Sequence, residues 1–307
     1  MHAAAPKNGI PAFLCAHRGL NLSAPENTLP AFQAAVDSGA EEIELDVWPA
    51  RDGTLVVCHD PTLERTTDGS GPIAQADWAA LSRLNAGAKF PGGFRFTPLP
   101  RFEEVLEAFG GRAVINLHIK SAGQPPVSDP GMRERSHLLG LAYRGRETLF
   151  PPLPQGTEKV LPLVEGRPVT PYPPQVFKKI LESLARYNAL GSVYVTGEKD
   201  VLLTALHLAP ELPRCCLEGH MNYSIVENAL SFGCSRVQFC KLFLTKAMID
   251  KAKAHGLLCN LFWCDDPGEA AAYRQLGIDT VLTNVYDRMT QKAGVREAAG
   301  IEECGQK

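Results

Sequence analysis

The sequence predicts an α/β fold, a (β/α)8 TIM barrel with a long loop insertion after its third strand. Short apolar segments alternate with amphipathic segments eight times along the 307 residues, counting the run at 55–58 as an extension of the second strand. This order builds a parallel barrel. Polar residues follow several of the apolar segments, where a barrel places its functional groups. An open doubly wound sheet is the alternative, but the turn after the first strand lacks the glycine-rich phosphate loop typical of such sheets.

Each element is predicted from its residue pattern. Strands are short apolar runs bounded by turn residues, and helices carry apolar residues three and four positions apart. The predicted strands are 12–16, 42–47 (extended by 55–58), 114–120, 192–195, 214–217, 236–240, 257–263 and 280–282. The predicted helices begin with one opened by residues 25–28 and continue at 75–84, 101–109, 175–187, 200–208, 224–232, 246–255 and 269–276.

Two loop-rich segments interrupt a chain that otherwise forms a single domain over residues 1–307. Residues 61–100 form a small insertion after the second strand. Residues 121–174 hold 11 of the chain's 24 prolines and follow the third strand. Loops of this length usually carry function or are disordered. In a barrel the second insertion would lie on the catalytic face, as a lid or a leaving-group pocket.

Composition limits the partners of the chain. The net charge of −3 argues against binding to nucleic acid or to an anionic membrane surface. No apolar run approaches the roughly 20 residues of a membrane span, and residues 1–7 lack the pattern of a secretory signal. We therefore expect a cytoplasmic protein without stable membrane insertion. The nine cysteines lack zinc-ribbon spacing and are interpreted as reduced core residues.

The strand at 42–47 places two carboxylates on one face. Strand side chains alternate, so Glu44 and Asp46 point together while their neighbours Ile43, Leu45 and Val47 face the other way. Like charges in a buried setting repel and need a proton, a basic partner or a bound cation. Oxygen ligands suit Mg²⁺ or Ca²⁺. The alternative is a half-exposed strand whose acids face water.

Four stretches near the start of the chain form an ordered set, with weaker matches at Ile119-Lys120, at Trp263 followed by Asp265-Asp266, and at 277–284. The four are Ala16-His17-Arg18-Gly19, Pro25-Glu26-Asn27-Thr28, Glu44-Leu45-Asp46-Val47 and the run from Asp52 to His59-Asp60. This set covers residues 12–68 and resembles the glycerophosphodiester phosphodiesterase family. The resemblance implies a (β/α)8 barrel, a divalent metal held by acidic residues and two histidines that take part in phosphodiester cleavage.

The resemblance assigns roles to matching positions. His17 and His59 become an acid–base pair, since histidine titrates near neutrality. The sequence does not say which of them is the acid. Glu44 and Asp46 become metal ligands. The attacking group is either the substrate's own adjacent hydroxyl, through a cyclic phosphate, or water.

Three further residues are expected to bind substrate. Arg18 would hold phosphate oxygens with its planar fork, and a salt bridge to Glu26 is the alternative. Lys120 would add positive charge. Trp263 would line the glycerol pocket, unless it is a core residue. Glu26 and Asn27 are expected to brace the loop and cap the following helix.

The third strand departs from the family pattern. His118 stands where the family usually has a metal-binding glutamate, two residues before Lys120. We expect His118 to be a third ligand, and the alternatives are an outer-shell role or a hydrogen bond to a neighbouring strand. The resemblance implies Mg²⁺ or Ca²⁺, whereas imidazole suits Mn²⁺ or Zn²⁺ better.

The expected function is a metal-dependent phosphodiesterase that hydrolyses a small glycerophosphodiester to an alcohol and sn-glycerol 3-phosphate. The alternatives are a lysophospholipase-D-like enzyme and an inactive barrel that binds phosphodiesters. The sequence leaves the oligomeric state open.

Overall fold

The computed structural model describes residues 12–121, 170–219 and 224–290. The predicted insertion at 121–174 lies outside the described residues except at its two ends. The strands are β1 Leu14–His17, β2 Glu42–Pro49, β3 Leu55–Val57, β4 Val114–Ile119, β5 Val193–Gly197, β6 Arg214–Cys216, β7 Arg236–Cys240, β8 Leu258–Phe262 and β9 Thr280–Thr283. The helices are α1 Leu29–Asp37, α2 Trp78–Leu81, α3 Phe102–Phe109, α4 Pro174–Arg186, α5 Lys199–Leu208, α6 Ile225–Ser231, α7 Lys246–Ala254 and α8 Pro267–Gln275.

Eight of these strands run parallel and close into a barrel, which confirms the predicted (β/α)8 fold. The strand order is β1-β9-β8-β7-β6-β5-β4-β2, and β1 also pairs with β2. The closing contacts join Cys15 to Leu282 on one side and His17 to Glu44 on the other. Because all eight strands point the same way, their carboxyl ends form one rim.

The sequence predicted that the run at 55–58 extends the second strand, and this prediction is wrong. The run forms a separate strand, β3, that folds back antiparallel on the end of β2, with Val57 beside Val47 and Leu55 beside Pro49. The turn between them contains Gly53 at φ 77°, which a residue with a side chain rarely adopts. The hairpin returns the chain toward the barrel rim, where the Cys58 amide donates to the Asp46 carbonyl at 3.0 Å.

The segment from 61 to 100 packs around a small apolar cluster of its own. Trp48 and Val56 of the hairpin contact Ile73, Leu81 and Leu99, which are all buried. The helix predicted at 75–84 is wrong in extent. The backbone is extended at residues 76 and 77 and separates a short 3-10 turn from α2.

Apolar side chains pack between the strands and the surrounding helices, and polar side chains fill the barrel. Ile43, Leu45 and Val47 join the larger core with Phe32 of α1. On the inner face, Asn116 donates to Gln238 Oε1 at 2.9 Å. The alternation predicted for β2 therefore sends Glu44 and Asp46 into the barrel interior, together with Glu42, whose Oε1 accepts from the Tyr194 hydroxyl at 2.6 Å.

The eight cysteines in the described part of the chain are free and buried, in keeping with the expectation of reduced core residues. Among the helices that the structure describes, none combines the length and apolar character that a membrane-spanning segment requires.

Candidate metal and phosphodiester site

Most of the residues predicted to be functional meet at the carboxyl ends of β1, β2 and β4. Glu44 of β2 lies beside His17 of β1 in the sheet register, and Asp46 lies beside His118 of β4. Lys120 follows β4 directly. Inner-face residues of adjacent parallel strands lie in the same layer of the barrel. Residues far apart in sequence therefore form one polar layer at this end of the barrel.

Glu44, Asp46 and His118 form a compact donor set. Each offers one ligand atom, and these atoms all lie within 4.8 Å of one another. The Asp46 side chain is fully buried, and His118 Nδ1 lies 3.1 Å from Asp46 Oδ1. Asp46 Oδ1 has His118 Nδ1 and Lys120 Nζ as neighbours, whereas His118 Nε2 is buried without a hydrogen-bond partner among the described residues. A buried imidazole nitrogen without a partner, beside two carboxylates, fits a bound divalent cation.

Cationic groups surround Asp46. Lys120 Nζ lies 2.9 Å from Oδ1, and Arg18 Nε lies 3.5 Å from Oδ2. Burial opposes ionisation of this carboxyl, but Lys120, His118, His59 and Arg18 outweigh it and hold its pKa well below the usual range. Asp46 is therefore a permanent carboxylate near neutral pH.

Glu44 has the opposite electrostatic setting. Burial and the neighbouring charge of Asp46 raise the pKa of Glu44 well above its usual value. The backbone amide of Arg18 donates to its Oε2 at 3.1 Å, which offsets only part of that cost. Glu44 and Asp46 are two buried carboxyl groups whose mutual repulsion opposes ionisation of both. A bound cation would reduce this repulsion.

Burial and the Lys120 charge lower the pKa of His118 to about 3. This imidazole is neutral at physiological pH, which is the form that ligates metals. The position that departs from the family's glutamate thus still presents a donor to the cluster.

Asn27 fixes the position of Asp46. Its Nδ2 donates to Asp46 Oδ2 at 2.8 Å, and its Oδ1 accepts from the Asp46 backbone amide at 3.2 Å. The expectation that Asn27 caps the following helix is wrong. The residue directly before α1 is Thr28, and its side chain donates to the Pro25 carbonyl instead of capping the helix.

His17 is held through Nδ1, which lies 2.9 Å from Asn284 Oδ1. Asn284 Nδ2 donates to Asp265 Oδ2 at 2.9 Å, so the amide oxygen must face the histidine. An amide oxygen only accepts, and Nδ1 therefore carries the proton. Nε2 is left with its lone pair, 4.0 Å from Glu44 Oε2. Burial and the charge of Arg18 lower the pKa of His17 to about 4.

His59 is held by its neighbour in sequence. Its Nδ1 lies 2.6 Å from Asp60 Oδ1, and the ring is half-buried at the end of the β2–β3 hairpin. His59 lies close enough to Asp46 to lower the pKa of that carboxyl. The two histidines and the acidic pair therefore open onto one rim of the barrel.

Arg18 makes the salt bridge that the sequence offered as an alternative. Its Nη1 donates to Glu26 Oε1 at 3.0 Å. The guanidinium also faces Asp46, so it lies at the site even though Glu26 engages it. Its backbone has φ 57°, which aims the Arg18 amide at Glu44. The role of Arg18 in binding substrate stays a prediction.

Trp263 follows β8 and is 39% exposed. This exposure excludes a core position. The residue lies at the carboxyl end of the barrel, on the same side as the site, and its contact with substrate stays a prediction.

Sequence reasoning assigned no role to three residues that hold this site. Asp60 and Asn284 orient the two histidines, and Arg65 binds Asp60 and Glu26. Asn284 directly follows β9, and Asp60 lies three residues beyond the end of β3, beside His59; these positions were the available signal. Arg65 carried no such signal because it lies within a loop.

Comparison with protein-family models matches residues 17–131 to the "Glycerophosphoryl diester phosphodiesterase family". A glycerophosphodiester phosphodiesterase of Bacillus altitudinis is 30% identical over 213 residues, which are 65% of this chain and 83% of the relative. One from Caldanaerobacter subterraneus subsp. tengcongensis is 41% identical over 121 residues, 39% of this chain and 49% of the relative. The match thus spans about half the length of the latter relative.

Solved structures share the fold over nearly the whole chain. An Oleispira antarctica phosphodiesterase in complex with the product sn-glycerol-3-phosphate has a TM-score of 0.70 at 21% identity, covering 94% of this chain and 98% of that one. A Thermotoga maritima glycerophosphodiester phosphodiesterase has a TM-score of 0.62 at 18% identity, covering 92% and 98%.

Proposed function

This chain belongs to the glycerophosphoryl diester phosphodiesterase family, and from that premise we propose that it hydrolyses a small glycerophosphodiester to an alcohol and sn-glycerol 3-phosphate. One observation carries the proposal. The donor cluster of Glu44, Asp46 and His118 lies at the same rim as two histidines that are each held through Nδ1. The product bound to the Oleispira antarctica protein supports this substrate class.

A divalent cation would be held by Glu44, Asp46 and His118. When bound, it would neutralise negative charge on the phosphodiester and act as a Lewis acid. Two carboxylates with one imidazole favour Mn²⁺ or Zn²⁺ over the Mg²⁺ or Ca²⁺ that an all-oxygen set prefers. The imidazole at position 118 is thus the feature of this chain that bears on metal choice.

The two histidines have different partners, which favour different roles. His17 carries its proton on Nδ1 toward a neutral amide oxygen, so Nε2 is ready to accept a proton from the attacking hydroxyl. His59 Nδ1 lies 2.6 Å from a carboxylate oxygen of Asp60, an anion in place of the neutral amide that faces His17. We therefore assign the base to His17 and the acid that protonates the leaving alkoxide to His59.

Lys120 and Arg18 would supply positive charge to the phosphate. Both already lie within 4 Å of Asp46, so the phosphate would enter a region where cations and carboxylates alternate. Trp263 is partly exposed at the rim, and we propose that it contacts the glycerol part of the substrate.

The test is a turnover assay with purified protein. Glycerophosphodiesters are supplied with Mn²⁺, Zn²⁺, Mg²⁺ or Ca²⁺ in turn, and release of sn-glycerol 3-phosphate is measured. His17→Ala and His59→Ala should each abolish turnover and leave the bound metal unchanged. Binding of the diester without cleavage under all four metals would identify an inactive binding barrel instead. Accumulation of a cyclic glycerol phosphate in ³¹P spectra would identify the substrate's own hydroxyl as the nucleophile.

A further inference from the structure

Arg65, in the segment between β3 and α3, connects two carboxylates beside the site. Its Nε donates to Asp60 Oδ2 at 2.5 Å. Its Nη1 and Nη2 donate to Glu26 Oε2 and Oε1 at 2.8 and 2.7 Å. Nη2 also reaches Asp60 Oδ1 at 3.3 Å. The planar fork of arginine suits this arrangement, because it presents five donors in a fixed geometry.

The carboxylates of Asp60 and Glu26 each contact one residue that has a role in the proposed reaction. Asp60 Oδ1 lies 2.6 Å from His59 Nδ1, and Glu26 Oε1 accepts from Arg18 Nη1 at 3.0 Å. Arg65 is therefore one contact away from both the imidazole and the guanidinium. These two groups come from different loops, one after β1 and one after β3, and the Arg65 side chain links them through their carboxylates.

The charges of this network also matter to an anionic substrate. Without Arg65, Asp60 and Glu26 would present two carboxylates beside the place where a phosphodiester must bind. Among the described residues, Arg18 would then be the remaining hydrogen-bond partner of Glu26, and Glu26 would engage that guanidinium more fully. Arg65 thus reduces the repulsion between these carboxylates and an anionic substrate. It also leaves donors of Arg18 free of Glu26, so that they can bind the phosphate.

We propose that Arg65 is a positioning residue, which holds Asp60 against the His59 ring and shares Glu26 with Arg18, so that both groups meet the phosphate in fixed orientations. This inference rests on the proposed phosphodiesterase function. Arg65 itself touches neither the donor cluster nor, in the proposal, the substrate. It acts through the carboxylates of Asp60 and Glu26.

The experiment compares Arg65→Gln and Arg65→Lys with a matched control, Arg51→Gln. Arg51 makes a more exposed ion pair with a single carboxylate, that of Asp77, at 2.8 Å and 2.5 Å, and has no contact with the site. Misplacing a catalytic group costs up to about 100-fold in rate. Arg65→Gln should lower kcat by roughly tenfold to 100-fold and raise KM. Arg65→Lys should recover only part of both, because one ammonium cannot hold two carboxylates in a fork.

Stability separates positioning from a merely structural role. Arg65→Gln should stay folded at the assay temperature, as Arg51→Gln does, although its denaturation midpoint falls further because Glu26 and Asp60 are partly buried. Wild-type kcat and KM in Arg65→Gln would overturn the inference, as would an equal loss of activity in Arg51→Gln.

A double-mutant cycle tests the route through Asp60. If Arg65 acts on His59 through this carboxylate, then Arg65→Gln adds little to the kcat loss already caused by Asp60→Asn. Fully multiplicative losses in kcat would show that the two residues act independently, and the proposed route would be wrong.

A readout that needs no turnover keeps this test separate from that of the function. In ¹⁵N-histidine spectra, Arg65→Gln should shift the ring-nitrogen signals of His59, and Arg51→Gln should leave them in place. If the wild type cleaves no diester, the proposed function fails while the spectra still decide the role of Arg65. Unchanged His59 signals in Arg65→Gln would refute it.

Discussion

Removal of the Asn27 side chain should destabilise the protein and weaken its metal site together. Asn27 is 2% exposed and makes two hydrogen bonds to Asp46, one to the carboxylate at 2.8 Å and one from the backbone amide at 3.2 Å. Its backbone lies in the left-handed region at φ 58°, which asparagine tolerates better than alanine.

The cost can be worked out from these contacts. A hydrogen bond to a charged group contributes about 1.5–3 kcal/mol, and a buried amide left unsatisfied costs about 1–3 kcal/mol. Alanine at a positive φ adds about 1–2 kcal/mol. At the lower ends of these ranges, Asn27→Ala should reduce the free energy of unfolding by about 3.5 kcal/mol and Asn27→Gly by about 2.5 kcal/mol. Such a loss is a large share of a typical domain's stability of about 5–15 kcal/mol.

Urea denaturation measures the loss, and Asn188 provides the control. Asn188 is exposed at φ 53° in the turn after α4, so Asn188→Ala carries the backbone strain without the buried contacts. It should lose only about 1–2 kcal/mol. If Asn27→Ala costs no more than Asn188→Ala, the two bonds to Asp46 contribute nothing and the reasoning is refuted. Isothermal titration should show weaker metal binding in Asn27→Gly, because Asp46 is no longer held.

Three further changes test the site. His118→Glu restores an all-carboxylate donor set, so calorimetry should show Zn²⁺ and Mn²⁺ affinity falling by about tenfold or more relative to Mg²⁺; unchanged relative affinities would exclude His118 as a ligand. Asn284→Asp places an anion on His17 Nδ1 and should raise the pKa of His17 from about 4, moving the acidic limb of the pH–rate profile to higher pH; an unmoved limb would contradict its assignment to His17. The pKa of Asp60 is lowered by His59 and Arg65, so its stabilisation is present above about pH 4 and is lost as the pH falls. The difference in unfolding free energy between wild type and Asp60→Asn should therefore shrink below about pH 4, and a constant difference would show that Asp60 is not stabilised as a carboxylate.

The alternation of strands and helices was enough to predict the barrel, because each strand and helix carries its own local pattern. The inward direction of Glu44 and Asp46 also followed from local alternation, since a period of two fixes which residues share a face. The rim position of His17, His118 and Lys120 then followed from parallel strand direction. These conclusions needed no knowledge of contacts between distant segments.

The contacts that hold the site could not be predicted in the same way. The hydrogen bond between His17 and Asn284 joins residues 267 positions apart. The hydrogen bonds between Asn27 and Asp46 depend on the conformation of the loop after β1 and on how it packs against β2. The hairpin strand β3 was misinterpreted because an apolar run after a turn does not reveal the direction in which it pairs. Side-chain networks such as that of Arg65 depend on tertiary geometry, which residue patterns do not contain.

The closure of the barrel between β1 and β9 has a consequence for biosynthesis. His17 emerges among the first residues of the described chain, but the amide that sets its proton is Asn284, just past the last strand. A ribosome-bound chain that has exposed both histidines and all three metal-ligand candidates still lacks that amide. The contact between His17 and Asn284 can therefore form only once β9 and the residue after it have been synthesised, and shorter chains carry these groups without it.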